Sequence, residues 1–252
     1  MNLSIITLSF NQAEFLEQTI KSVVSQNYKN IEYLIFDGGS TDGSVEIIKK
    51  YAKKYPKIIK WQSKKDKGQV DALNKALKIV TGDVIAYINS DDYYLPGVFQ
   101  KVVKTFKKNP KTEWLVGNCQ VTESRLKWTF TIKHLIPIHQ AKFWLNLFNW
   151  INQPAVFLRK SLFDQVGLFN QKYHYAFDYD YWLRCSKMSL PVRLKQDLAV
   201  FRVHPNSKGS RGYDKQFIED YQIHVDNNNK IIWRALHWIL WKITMITYFF
   251  LK

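Results

Sequence analysis

Five aspartates stand where apolar runs of this 252-residue chain give way to polar loops: Asp37 in FDGGSTDG, Asp66 in KKDKG, Asp91 and Asp92 in YINSDDYYLP, and Asp178 in FDYDYW. Carboxylates at such positions do two kinds of chemistry. They hold hard divalent cations through oxygen, and they take protons from hydroxyls that become acidic as they attack. Asp91 and Asp92, side by side, repel each other, so the pair calls for something cationic beside it, which need not be protein. A plainer use is open to each. Asp37 suits an Asx-turn or N-cap ahead of the next helix, and one aspartate of the pair suits an N-cap before LPGVFQKVV.

The elements that must position these residues alternate in type. LSIITLSF (residues 3–10), IEYLIFD (31–37), KIIKW (57–61) and DVIAYIN (83–89) are short and rich in Ile, Val and aromatics, which predicts strands. Between them, Leu16, Ile20 and Val24, then Val45, Ile48, Ala52 and Tyr55, then Val70, Leu73, Leu77 and Val80 recur at helical spacing. Repeated β-α-β units imply an α/β fold with a mostly parallel sheet flanked by helices. Ligands of such sheets bind beyond the carboxyl ends of the strands. That edge is predicted to gather Asn11, residues 37–40, residues 64–68 and the Asp91, Asp92 pair. After Pro110 the alternation weakens: TEWLVGNCQV reads as a strand, HYAFDYDYWLRCSKM as a helix start with Asp178 near its amino end, and LPVRLKQDLAVFRVH as a strand pair or one long strand leading to His204.

Composition narrows the partners. Hydrophobic residues make up 46% and charged residues 23%, a globular balance, and 37 Lys and Arg against 21 Asp and Glu give a formal net charge of +16. This excess favours an anionic partner: nucleic acid, nucleotide phosphates or an acidic lipid surface. The two cysteines, Cys119 and Cys185, lie in no metal-ligand spacing, which fits a reducing compartment. Residues 3–10 read as a strand rather than a signal-type apolar core, so the expected location is cytoplasmic.

Taken in order, SIITLSFNQAEFLEQTIKSVVSQNY, YLIFDGGSTDGS, KDKGQVDALNKAL, TGDVIAYINSDDYYLPG, NQPAVFLRKSLFDQVGLFN, FDYDYWLRC and FRVH resemble family-2 glycosyltransferases of the GT-A fold, over residues 2–211. The resemblance implies a catalytic domain over 1–212, with nucleotide-sugar binding in 1–110 and the acceptor side in 111–212. It implies an inverting, metal-dependent transfer from a nucleoside-diphosphate sugar, UDP-linked in the commonest case, to a glycan or lipid-linked acceptor of cell-surface polysaccharide synthesis. Thr7, Ser9 and Asp37 would hold the nucleoside, and Asp66 would be a second base contact. Asp92 would bind Mn²⁺ or Mg²⁺, with Asp91 by the ribose or a metal water and His204 near the metal or diphosphate. Lys208 and Arg211 would clamp phosphates, while Gln153 and Arg184 match acceptor-side positions. Asp178 matches the general base, although Phe177 stands where the family usually has Glu, and Asp180 competes with it for that role.

Two other functions fit parts of this pattern. A sugar-nucleotide nucleotidyltransferase usually has a Gly-rich phosphate loop after its first strand, and LSFNQAEF has no glycine. A nucleic-acid-binding protein would explain the charge but predicts basic, not acidic, strand ends, so no nucleic acid is expected. The C-terminal segment 213–252 is expected to be helical. Its last stretch, KIIWRALHWILWKITMITYFFLK, carries Lys230, Arg234, Lys242 and Lys252 and no acid. Its length is at the short limit for a bilayer, and Trp233, Trp238, Trp241 and Tyr248 favour the interface. It is therefore expected to lie on an anionic membrane surface at the inner face of the cell membrane, with packing on the catalytic domain as the other use.

Overall fold

Each apolar run ending in a polar loop becomes a strand of one sheet. The computed structural model describes residues 1–123, 129–133, 136–228 and 231–250, with side chains described as far as 242. Among these, β1 (Leu3–Ser9), β2 (Ile31–Asp37), β3 (Ile59–Ser63) and β4 (Val84–Asn89) run parallel, so their carboxyl ends share one edge. The third strand begins two residues later than its sequence suggests, since Lys57 and Ile58 complete the turn before it. The connecting helices are α1 (Ala13–Val24), α2 (Ser44–Lys54) and α3 (Gln69–Leu77).

A short β5 (Tyr93–Tyr94) and α4 (Val98–Lys108) follow, then β6 (Trp114–Glu123), β7 (Thr129–Ile132), α5 (Ala141–Leu145), β8 (Val156–Arg159), α6 (Lys160–Val166) and α7 (Phe177–Met188). The stretch 192–203 is one long strand, β9 (Val192–Val203), and α8 (Lys208–Arg211), α9 (Tyr213–Asn227) and α10 (Ile231–Phe250) end the chain. The sheet order is β3-β2-β1-β4-β8-β6-β9-β5, with β7 beside β6. Here β8 pairs antiparallel with β4 and β6, which explains the irregular second half.

Side chains of a strand alternate between faces, and β1 divides the core accordingly. Leu3 and Ile5 pack with Leu16, Ile20, Ile48 and Val102 on one face, while Ile6 and Leu8 pack with Leu73, Leu77, Tyr181 and Trp182 on the other. Helix α7 is buried over Tyr179, Tyr181, Trp182 and Leu183, and Trp182 stacks on Trp114 at 5.9 Å. Asp178, in its first turn, is thus fixed to a deeply packed element.

The start of α10 folds back on the domain. His237 is buried, its ring lies 4.0 Å from that of His224, and its Nδ1 donates to the Leu147 carbonyl at 2.8 Å. Trp241 Nε1 donates to the Phe217 carbonyl at 2.7 Å. The opposite face turns Ile231, Ile232, Leu236, Trp238 and Ile239 outward. No helix among the described residues is long and apolar enough to cross a membrane. Lys230 and Lys252 lie outside the described residues, as does the side chain of Tyr248.

Candidate active site

The loop after β2 is organised by Asp37, which is buried. Its Oδ2 accepts from the amides of Gly39 (3.0 Å) and Ser40 (2.9 Å) and from Ser63 Oγ (2.6 Å), and its Oδ1 accepts from Ser40 Oγ (2.5 Å). Asp37 therefore makes the Asx-type turn and also ties the end of β2 to that of β3. Beside it, Asp66 accepts from the Gly68 amide at 2.8 Å and faces the loop so closely that a Cβ at position 38 would meet Asp66 Oδ2 at 3.1 Å and Phe10 Cδ2 at 3.2 Å. Only glycine leaves this approach open. Asp37, Gln62, Lys64, Asp66 and Lys75 line a cleft of about 160 Å³.

The adjacent aspartates have separate tasks. Asp92 is fully buried; its Oδ1 accepts from the Arg202 amide of β9 at 2.9 Å, and its Oδ2 has no partner among the described residues. Burial and the neighbouring Asp91 charge push its carboxyl well above the usual range. Thr19 on α1 braces the same turn by donating to the carbonyls of Ser90 (2.8 Å) and Asp92 (2.6 Å). Asp91 is instead partly exposed, and its Oδ2 lies 3.1 Å from His204 Nε2. The carboxylate that the sequence analysis assigned to metal is thus the inaccessible one: both residues lie in the turn after β4, closed by the Asp92 amide on the Asn89 carbonyl at 3.1 Å, with Asp92 directed inward to β9 and Asp91 left partly exposed.

No group of three or more His, Cys, Asp or Glu among the described residues could hold a metal alone. Asp91 and His204 offer one oxygen and one nitrogen donor. That set fits Mg²⁺ or Mn²⁺ when substrate phosphates and water supply the remaining ligands.

Across the edge, Asp178 is half-buried, and burial pushes its carboxyl up to about 6 against the opposing hydrogen bond from the Tyr179 amide. Phe177, buried between Tyr87 and Phe169, fills apolar core where the family usually has Glu. Lys208 reaches over from α8. Its Nζ donates to Gln69 Oε1 at 3.0 Å and to the His174 carbonyl, while Gln69 Nε2 donates to Asn89 Oδ1 at 2.6 Å. Desolvation of its ammonium pulls Lys208 down to about 8. The chain Asn89, Gln69, Lys208 thus links the end of β4 to the segment entering α7.

The other expected site residues divide. Thr7 lies elsewhere than expected: it is fully buried, and its hydroxyl bonds Tyr33 at 2.9 Å inside the core. Ser9 is buried at the strand end, its hydroxyl unpartnered among the described residues. Asp180 pairs with Arg184 at 2.9 Å, and Arg184 also donates to the carbonyls of Val166 (2.9 Å) and Leu168 (3.0 Å). Both belong to the bracing of α7, so Arg184 is not free to meet an acceptor and Asp180 not free to act as base. Gln153 donates to the Tyr87 carbonyl at 2.6 Å, and Arg211 is exposed and bonds Asn206. Sequence reasoning missed Gln69, Asn89 and Arg202. Of these, Asn89 alone had a signal, its place one residue before the SDD run.

The described residues build a mixed α/β sheet with an acidic carboxyl-end edge faced by α7, and comparison gives the family. The sequence model of "Glycosyl transferase family 2" matches residues 4–167, and the chain belongs to that family as a glycosyltransferase. An uncharacterized glycosyltransferase of Mycobacterium tuberculosis is 30% identical over 202 residues, 79% of this chain and 74% of that protein. One from Haemophilus influenzae is 24% identical over 216 residues, 82% of this chain and 67% of that one. Among solved structures, S. aureus TarS 1-349 in complex with UDP-GlcNAc superposes with a TM-score of 0.69 at 16% identity, over 90% of this chain and 66% of that chain. The mannosyltransferase PcManGT from Pyrobaculum calidifontis, in complex with GDP-Man and Mn²⁺, gives 0.65 at 15% identity, over 91% and 65%. The fold is GT-A, and this chain spans about two thirds of these two solved chains.

Replacing Thr7 with Val leaves the Tyr33 hydroxyl buried without a partner, which costs about 1–3 kcal/mol. Thermal unfolding of T7V is expected to shift down while nucleotide binding at the folded protein is unchanged; a selective loss of nucleotide binding would return Thr7 to the site.

Proposed function

We propose that this glycosyltransferase takes its sugar from a nucleoside-diphosphate sugar, UDP-linked in the first instance, and inverts the anomeric carbon in a single displacement. The observation that carries this reading is the convergence at one sheet edge of the cleft between Asp37 and Asp66, the partly exposed Asp91 with the buried His204 beside it, and Asp178. The nucleobase and ribose occupy the cleft, where Asp66 accepts from base donors and the Asp37 loop sets the backbone close to them. The diphosphate lies over Asp91 and His204. Two superposable proteins were solved with nucleotide sugars, one of them with Mn²⁺, which supports a donor of this class.

Asp91 and His204 would hold a divalent cation, Mn²⁺ or Mg²⁺, which neutralises negative charge on the departing diphosphate. Asp92 keeps the turn rigid from below. Lys208 and, on its exposed rim, Arg211 supply positive charge toward the phosphates. Asp178 takes the proton of the acceptor hydroxyl as its oxygen bonds the anomeric carbon and the bond from that carbon to the phosphate oxygen breaks. A carboxylate with a raised proton affinity is a better base near neutral pH. Gln153 stands on the acceptor side.

A screen of nucleotide sugars by thermal shift tests donor and metal together, since a ligand bound only by the folded state raises the unfolding temperature. One nucleotide sugar, UDP-GlcNAc among those tried, is expected to stabilise the protein more with Mn²⁺ than without. The Mn²⁺ increment should vanish in D91N, and its survival there would refute the role given to Asp91.

Asp178→Asn should lower turnover by about 10²–10⁴ while donor affinity stays unchanged. Asp178 works deprotonated, so in the unsubstituted enzyme turnover should fall as pH drops through about 6, the value to which burial raises it. A flat profile between pH ~5 and pH ~7 would contradict this assignment.

The acceptor is read as a glycan or a lipid-linked sugar of cell-surface polysaccharide, met at the inner face of the cell membrane. Support comes from α10, whose packed face carries His237 and Trp241 while Ile231, Ile232, Leu236, Trp238 and Ile239 face out beside the Lys242 ammonium. An exposed apolar helix face flanked by cations fits an anionic bilayer surface. The chain should sediment with vesicles containing phosphatidylglycerol and lose that affinity when Leu236, Trp238 and Ile239 become Ser. Equal recovery of both proteins in the supernatant would remove the membrane from the account.

A further inference from the structure

We propose that Glu219, on α9, is the positioning residue for Asp178, an inference that rests on Asp178 being the base. Helix α7 opens without a capping side chain, because Ala176 occupies the position before its first residue. Its approach still carries backbone amides that need acceptors. Glu219 supplies them from another element: its carboxylate accepts from the amides of His174 (2.9 Å to each oxygen), Tyr175 (2.6 Å) and Ala176 (3.0 Å). Three consecutive amides on one carboxylate make an anion-binding nest, and negative charge there is favoured further by the positive end of the helix.

The same segment is held from its other side. The His174 carbonyl accepts from Lys208 Nζ, and both Lys172 Nζ and the Tyr173 hydroxyl donate to Asp226, about two helical turns along α9 from Glu219. The ammonium of Lys208 is attracted to both Glu219 and Asp178. Asp178 comes two residues after the last captured amide, so the direction of its carboxylate depends on where this segment sits. The helix body needs no such help, since Tyr179, Tyr181, Trp182 and Leu183 bury it in the core. Glu219 therefore fixes the base without being what folds the helix. It also lies outside the part of the chain that matches the family, residues 4–167.

The test compares E219A, E219Q, D178N and the E219A/D178N double variant. Turnover is followed as nucleoside diphosphate released from UDP-GlcNAc or GDP-mannose with Mn²⁺, and amide exchange is followed over residues 174–180. Displacing a reacting group by about an ångström costs on the order of a hundredfold in rate. E219A is expected to lose about that factor in kcat with donor KM unchanged. E219Q, which keeps an acceptor oxygen, should recover most of it, and E219A should add nothing in the D178N background. The amides of Tyr175 and Ala176 should exchange faster in E219A. The proposal is overturned if E219A keeps wild-type kcat, if kcat and donor affinity fall together with the unfolding temperature, or if those amides stay as protected as before. Wild-type turnover by D178N would instead overturn the base assignment, and amide exchange would still decide whether Glu219 holds the segment.

Discussion

One hydrogen bond closes the β5–β9 pairing that joins the two halves of this enzyme at the place where they must cooperate. The amide of Arg202 on β9 donates to the buried carboxylate of Asp92 at the end of β4, across 110 positions of sequence. Once that bond is made, β9 must end beside the Asp91 turn. His204 then meets Asp91 two residues later, and Lys208 four residues after that reaches Gln69. Arg202 reinforces the junction through its own side chain, which lies over the rings of Phe15 and Tyr93 and donates to Gln18. A buried carboxylate is costly unless it is bonded, so the arrangement strongly disfavours any other course for the end of β9.

This junction explains why two acidic residues are adjacent in so basic a chain. They need not share one cation, because one is buried on the Arg202 amide and the other is partly exposed beside His204. Asp92 is part of the frame and Asp91 is the group that solvent and ligand can reach. Donor-side residues come from strand ends in the first hundred residues. The proposed base, Asp178, comes from α7, more than eighty residues later, and the segment before it is bonded by Glu219 of α9. The site is therefore assembled by tertiary contacts, and its second half depends on helices beyond the family-matched segment.

Much of the frame was legible because strand and helix periods differ. The four parallel strands and three crossover helices could be placed from apolar spacing alone, and the rule for parallel sheets then put Asp37, Asp66 and the Asp91, Asp92 pair on one edge. What single-chain patterning could not supply was direction and distance. Thr7 shares its face with Leu3 and Ile5, so its hydroxyl went to Tyr33; that parity was visible, but a polar residue near a strand end invited a binding role. The exchange of tasks between Asp91 and Asp92 required knowing what lies beneath the turn, and Arg202 is too distant in sequence to announce itself. Phe177 looked like a departure at the site and is instead apolar core against Tyr87 and Phe169. Arg184 matched an acceptor-side position and is bonded to Asp180 and two carbonyls.

The central claim is that the accessible carboxylate of the pair, with His204, meets the nucleotide's diphosphate and its cation. Anomalous diffraction at the manganese edge, from crystals grown with Mn²⁺ and UDP, tests it most directly. The account predicts a single manganese peak contacting Asp91, His204 and the diphosphate, with Asp92 still bonded to the Arg202 amide. A peak coordinated by Asp92 with that bond broken, or UDP bound with its diphosphate away from Asp91, would contradict it.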